Sequence, residues 1–418
     1  MSLAFIILSV VGLSVLFWKA YHHVELLKNH FWPGLILKIV SGAILGVLYY
    51  YHYGYGDTLT YFQKGTELAS ILSKDGFAYV DFLLGSSPEI FDSGYQNQPR
   101  ALYFIKVVSV FSFLSGGNYW ITSIYFSTLS FFACFYLATV LAHQFSYCKN
   151  LIAMCFLYIP STLLWTSGII KESVAMAVLC VLFALVIQGL FRSRITLIHT
   201  IVFIVSAWVL WKVKYYYAAI AFTSVFSMIC TFLLMNHQQS IRKKKWRISV
   251  AFIIISSILL FLSTQLHPNL LIANLPEIVV KNYDAFIVRS QNGGVIIYEN
   301  LEPTFYSLAY HSPKAFFSAL FRPFLWEWDG AFLRAIYSLE NSIILILLIT
   351  SLVNIKNNND SNTYLLTLAA LFFVIVILTF LALSTPNFGT LARYKSMTMP
   401  FILLIITYRN RSLIKLTR

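Results

Sequence analysis

The chain predicts an all-α, polytopic membrane bundle of about eleven spanning helices. Three observations carry that expectation. Hydrophobic residues make up 59% of the 418 and charged residues only 11%, with a mean hydropathy of +0.74. The apolar stretches are continuous runs, not the alternating pattern of barrel strands. Short polar clusters recur between them: Gly56-Asp57, Lys171-Glu172, Lys212-Val213-Lys214, Arg322 and Arg393-Tyr394-Lys395. Ionisable groups beside lipid are costly, so clusters in register mark a candidate site.

In chain order, spanning helices are expected over 2–18, 35–53, 119–143, 150–166, 172–190, 195–211, 214–235, 249–264, 335–355, 363–384 and 397–408. The first run has no basic residues before it and no small-residue cleavage site after it, so it reads as a retained helix and not a signal peptide. Orientation follows from Lys and Arg. The strongest anchor is Arg242-Lys243-Lys244-Lys245-Trp246-Arg247. Arg192-Ser193-Arg194 and the tail with Arg409, Arg411, Lys415 and Arg418 add to it, and the loop with Lys19 and Lys28 is weaker. These segments are expected to be cytoplasmic, the C-terminus included, in a bacterial inner (plasma) membrane.

Counting crossings from these anchors leaves 1–418 a single transmembrane domain with two structured extracytoplasmic segments, 54–118 and 265–334. Lys356 falls inside, and every polar cluster falls on the outer face. The count requires that the apolar run 101–115, short and interrupted by Lys106, be re-entrant or surface-lying. Within the first segment, Thr58 to Leu72 is expected as a surface helix with Leu59, Phe62, Leu68 and Leu72 towards lipid, and Gly85-Ser86-Ser87-Pro88 as a turn. The second segment is marked by Pro268, Pro276, Pro303, Pro313 and Pro323, with a turn at Gln291-Asn292-Gly293-Gly294.

Several function classes drop out. Cys134, Cys148, Cys155, Cys180 and Cys230 show no metal-ligand spacing, and most lie in apolar runs as small hydrophobes. The sequence has no P-loop, HExxH, paired Cys-x-x-Cys or Gly-x-Ser-x-Gly. The net charge of +14 is explained by topogenic anchoring plus a basic site, so no nucleic-acid partner is expected.

The clusters each admit two readings. Asp57 follows Tyr53-Gly54-Tyr55-Gly56 at the end of a membrane helix, where glycines let the chain turn. It suits a general base, and equally an N-cap. Lys171 and Glu172 form either an interfacial ion pair or a phosphate-binding cation with its orienting acid. Lys212 and Lys214 beside Tyr215-Tyr216-Tyr217 either snorkel or hold an anion. Arg393 offers a planar fork for phosphate oxygens, with Lys395 adding a point charge. Arg322 is similar, with Glu327 as an alternative structural partner.

The arrangement resembles the GT-C superfamily of membrane glycosyltransferases. The likeness rests on Asp57 just past a membrane helix in the first external loop, then Gln96-Asn97-Gln98-Pro99-Arg100-Ala101-Leu102-Tyr103. Gly116-Gly117-Asn118-Tyr119-Trp120 and the stretch from Pro160 to Glu172 complete it. It covers residues 50–190 most clearly. It implies transfer of a sugar from a polyprenyl-phosphate or pyrophosphate carrier to a glycan, lipid or protein acceptor on the extracytoplasmic face, with inversion. Asp57 would be the catalytic base, and Lys171, Lys212, Lys214, Arg322 and Arg393 would face the leaving phosphate, with an apolar groove for the carrier alongside. Asp57 lacks the adjacent acid common in the family, which leaves a divalent metal cofactor open. The alternatives are a lipid-linked polysaccharide polymerase or ligase, and a transporter or flippase of an anionic lipid-linked substrate.

Overall fold

The structure, a computed structural model, describes residues 3–72, 74–85, 94–95, 98–191, 195–290, 294–354 and 360–417. The Arg192–Arg194 anchor, the turns expected at 85–88 and 291–294, Lys356 and Arg418 fall wholly or largely outside those residues. In order the helices are α1 Leu3–His22, α2 Lys28–Val47 (extended by a π-helical turn, Leu48–Tyr53), α3 Asp57–Leu72, α4 Gly76–Leu84, α5 Pro99–Leu114, α6 Tyr119–Gln144, α7 Lys149–Leu157, α8 Pro160–Trp165, α9 Lys171–Phe191 and α10 Leu197–His237. Then follow α11 Gln239–Arg242, α12 Lys245–Thr264, α13 Leu275–Arg289, α14 Phe305–Phe321, α15 Phe332–Val353, α16 Ser361–Ser384, α17 Phe388–Lys395, α18 Met399–Thr407 and α19 Arg411–Leu416. Among the described residues, eight helices (α1, α2 with its π turn, α6, α9, α10, α12, α15 and α16) are long and apolar enough to cross a membrane.

Local chemistry sets many of the starts. Asn118, Asp360, Asn387 and Asn410 accept hydrogen bonds from amides of the first turns of α6, α16, α17 and α19. Prolines 99, 160, 276 and 400 sit in the first turns of α5, α8, α13 and α18, where a missing amide costs nothing.

Helix α10 is assigned as 41 residues, which if straight would be about 60 Å long, twice the hydrocarbon core. It is not straight. Lys214 has φ −148° and ψ 76°, outside the helical region. Phe203 and Phe226, which a straight helix would hold far apart, have ring centroids 6.5 Å apart, and Trp211 stacks on Phe222 at 6.4 Å. The halves therefore fold back on one another with Lys214 at the tip, as separate runs over 195–211 and 214–235 would require.

Two expected runs differ in form. The stretch expected to be continuous over 150–166 is broken into α7 and α8. Pro160 has no amide to donate, and it holds Ile159 extended at ψ 120°. The last run keeps only the nine helical residues of α18.

Helix α5 packs along α3 in the same direction. Tyr61 meets Phe104, a Cβ on Gly65 would come within 2.6 Å of Val108, and Thr66 bonds Ser112 at 2.8 Å. Phe104 and Phe111 both touch Phe126 near the start of α6. Lys106, the charge inside this run, donates to the carbonyls of Phe82 (2.5 Å) and Leu83 (3.2 Å) at the end of α4. One expectation is corrected here: Leu68 does not face lipid but is fully buried in the main core, because the face of α3 carrying Tyr61, Gly65 and Leu68 is the one α5 covers.

Hydrogen bonds gather the connections at two opposite ends of the bundle. At one end Ser361 donates to the Arg242 carbonyl, Asn150 to that of Thr417, and the Arg411 amide to that of Asn354. At the other lie the end of α2, the starts of α3, α6 and α9, the tip of α10 and the end of α16. The 265–334 segment is fastened there: the Ile296 amide donates to Pro386, Phe388 to Gly294, and the Tyr298 hydroxyl to Ala382. The basic cluster 242–247 and the polar clusters thus occupy opposite ends.

Candidate functional site

The second end carries a network of charges centred on Glu172, in the first turn of α9 and only 1% exposed. A buried carboxylate persists only when well paired, and Glu172 is paired twice. The Arg393 fork grips it with Nε to Oε1 at 3.0 Å and Nη2 to Oε2 at 3.1 Å. Lys214 Nζ donates to Oε1 at 3.1 Å, donates to the Tyr216 hydroxyl at 3.3 Å, and lies 4.1 Å from the centroid of the Tyr394 ring. The non-helical backbone at Lys214 places this cation at the hairpin tip. The remaining arm of Arg393, Nη1, reaches Asp57 Oδ2 at 3.2 Å.

Asp57 is presented by a turn that only glycine fits. Gly54 and Gly56 have φ of +69° and +130°, and a Cβ on Gly56 would lie 2.6 Å from the Tyr49 ring. Asp57 opens α3 with its side chain 49% exposed and bonded to Arg393. Lys171 takes a different course from Glu172. Successive helix residues point about 100° apart, so the two do not pair. The Lys171 ammonium lies 4.8 Å from the Tyr61 ring centroid, within electrostatic reach of Asp57, Glu172, Lys214 and Arg100.

Five of the eight sequence candidates, Asp57, Lys171, Glu172, Lys214 and Arg393, therefore meet. Three do not. Lys212 is exposed on the flank towards Lys106. Arg322 closes bidentately on Glu327, through Nε at 2.9 and 3.1 Å and through Nη2, and stacks over Phe388. That partner, with the Phe324 amide, outweighs the burial that alone would raise the Glu327 carboxyl, and holds it below its ordinary value. Lys395 is buried and donates to the Ala319 carbonyl at 2.9 Å, to that of Arg322 at 3.4 Å, and to Asn341 Oδ1 at 2.9 Å. It caps the end of α14 and does not face the site. Two residues along a helix turn the side chain by about 200°, which sends Arg393 and Lys395 to different faces.

The structure adds residues that the charge clusters alone do not reveal. Arg100 stacks over Tyr215 at 5.3 Å on the Lys171 side of the network; its only sequence signal is its place beside Pro99 at a helix start. Tyr61, one helical turn after Asp57, gives Lys171 its seat. Trp165 lies under Arg393 at 5.6 Å and donates from Nε1 to the Tyr337 hydroxyl at 2.5 Å. Two hollows flank the network. One, of about 310 Å³, is walled by Arg393, Tyr49, Tyr53, Trp165, Tyr337 and Thr390 among others. The second, of about 410 Å³, is an apolar groove among α10, α12, α16 and the 265–334 segment, bordered by Tyr216, Ile220, Leu260 and Phe380.

The donor set does not suit a resident divalent metal. Asp57 and Glu172 both spend oxygens on one guanidinium, and among the described residues no three His, Cys, Asp or Glu side chains gather. The cysteines carry no disulfide; Cys134, Cys148, Cys155 and Cys180 are buried and Cys230 is exposed. The chain matches no protein-family model, no curated protein and no solved structure.

Proposed function

We propose that this chain is a GT-C-like membrane glycosyltransferase. It takes a sugar from a polyprenyl-phosphate or pyrophosphate carrier at the bundle end opposite the 242–247 basic cluster. The excess of Lys and Arg at that cluster and in the tail makes their end cytoplasmic and the reaction extracytoplasmic. Eleven passes complete this topology: the eight long helices, with α10 counted twice, together with α7–α8 and α17–α18.

The observation that carries the reading is the division of labour among the charges. Lys214 and Arg393 are committed to Glu172, and Arg393 in turn tethers the half-exposed Asp57 by one hydrogen bond. Lys171 and Arg100 rest on aromatic rings, with no carboxylate within ion-pair distance among the described residues. Asp57 then removes the proton from the acceptor hydroxyl. The oxygen attacks the anomeric carbon, the bond from that carbon to the phosphate oxygen breaks, and the phosphate departs with the electron pair. Lys171 and Arg100 face the departing anion, and preorganised cations of this kind lower such barriers. Arg393 is a positioning residue for Asp57. The apolar groove bordered by Tyr216 gives the isoprenoid chain a path that ends beside Lys214.

The test is transfer of radiolabelled sugar from a polyprenyl-phosphate donor by purified protein in lipid nanodiscs. Asp57→Asn is expected to lower the rate about 10²–10⁴-fold with little change in melting temperature. Full transfer by Asp57→Asn would sink the reading. If Arg393→Ala alone abolished transfer, a polymerase or ligase would be favoured in its place.

A further inference from the structure

The bonded series Tyr216, Lys214, Glu172, Arg393 separates two hollows of opposite character. The groove on the Tyr216 side is apolar. The hollow on the Arg393 side presents aromatic faces together with hydrogen-bonding groups. Tyr49 and Tyr53 pack with ring centroids 5.4 Å apart, and Trp165 is fixed by its bond to Tyr337. The hydroxyls of Tyr49, Tyr53 and Thr390 make no hydrogen bond to protein among the described residues, although each borders the hollow. The charges on its wall are already balanced: Arg393 by Glu172 and Asp57, and Arg334 by Asp329 at 2.5 Å. At about 310 Å³ it falls at the small end of ligand pockets, which span ~300–1,000 Å³.

We propose that this hollow is the acceptor seat, and that the acceptor is a neutral carbohydrate presenting a pyranose ring. The inference rests on the glycosyl-transfer reading and adds the class of acceptor to it. A pyranose has an apolar face of C–H groups and a rim of hydroxyls. The first stacks on Tyr and Trp rings, and the second exchanges hydrogen bonds with free hydroxyls, each group acting as donor or acceptor. An anionic sugar finds no unpaired cation on this wall, and a prenyl chain would leave the three hydroxyls unsatisfied. The seat borders Arg393, whose other arm holds Asp57, so a ring hydroxyl at its mouth faces the base while the carrier lies across the network.

Saturation-transfer NMR on the full-length protein in nanodiscs tests this without any transfer step. The probes are methyl β-D-glucopyranoside, methyl α-D-mannopyranoside and glucuronate. A neutral glycoside should give a signal that glucuronate does not exceed. Leu333→Trp, which fills the hollow, should abolish that signal, whereas Leu260→Trp, which fills the apolar groove, should leave it intact. Should Leu333→Trp not fold, Tyr53→Ala should weaken glycoside binding about fivefold through loss of one stacking face. Absence of signal from both glycosides, a stronger signal from glucuronate, or undiminished glycoside binding in Leu333→Trp or, in its place, Tyr53→Ala would overturn the proposal. Because binding is read directly, that failure is separable from the Asp57→Asn result, which bears on transfer alone.

Discussion

Two bidentate arginine–glutamate pairs lie at the same end of the bundle and differ in reach. Arg322 and Glu327 are five residues apart, and their side chains are 24% and 17% exposed. The pair folds one short stretch onto itself through the Nε–Nη2 edge of the guanidinium. Arg393 and Glu172 are 221 residues apart, 14% and 1% exposed. This second pair joins α9 to α17 through the same edge, recruits Lys214 from the tip of α10, and turns Nη1 to Asp57, 336 residues away. The same chemistry therefore gives a local clasp in one place and a multi-helix junction in the other. A charge becomes a site residue when its partners come from distant elements and leave part of it, or of a neighbour, facing outward.

The largest expected effect separates the pairs by stability. Glu172→Ala strands Lys214 as a buried, unpaired cation, leaves Arg393 only the half-exposed Asp57, and should cost about 3–5 kcal/mol. Glu327→Ala, on the more exposed pair, should cost no more than about 1 kcal/mol. Melting temperatures of the purified proteins check this, and equal losses would erase the distinction. Next comes the fork itself. Arg393→Lys keeps the charge but cannot hold Glu172 and Asp57 together, so transfer should fall by about 10²-fold through misplacement of the base. Arg322→Lys should leave transfer within about threefold of the parent.

A smaller effect distinguishes the lysines. Lys171→Ala should raise the KM for the lipid-linked donor about tenfold, the worth of one charge-assisted contact, while Lys212→Ala should not move it. The smallest effect is in pH. The Glu327 carboxyl is held below its ordinary value of 4.5, so the folded state binds its proton less readily than the unfolded chain. Its contribution to stability is present above about 4.5 and is lost as pH falls through the lowered value. Glu327→Gln should therefore flatten the acid limb of the stability profile slightly, as seen by thermal denaturation between neutral and acid pH. An unchanged limb would mean the clasp contributes nothing measurable.

Much of this architecture is legible in the amino-acid order. The long apolar helices, the hairpin of 195–235 and the grouping of Asp57, Lys171, Glu172, Lys214 and Arg393 follow from hydropathy and charge bias along the chain. Leu68 is misleading because a helix face that looks apolar does not say whether lipid or another helix covers it. Arg322 and Lys395 mislead for a related reason: a cation near the interface has the same sequence signature whether it meets a ligand, a carboxylate five residues on, or the carbonyls at a helix end.

By itself the sequence determined the helical membrane class and the end at which the polar clusters collect. Those depend on transfer of residues between water and hydrocarbon, a property summed over local runs. Only the tertiary structure decided which charges satisfy one another and which do not. Pairing depends on distances of a few ångströms between residues hundreds of positions apart, and on which face of a helix each side chain leaves. That assignment committed Lys214 and Arg393 to Glu172, and left Asp57, Lys171 and Arg100 as the working edge of the proposed site.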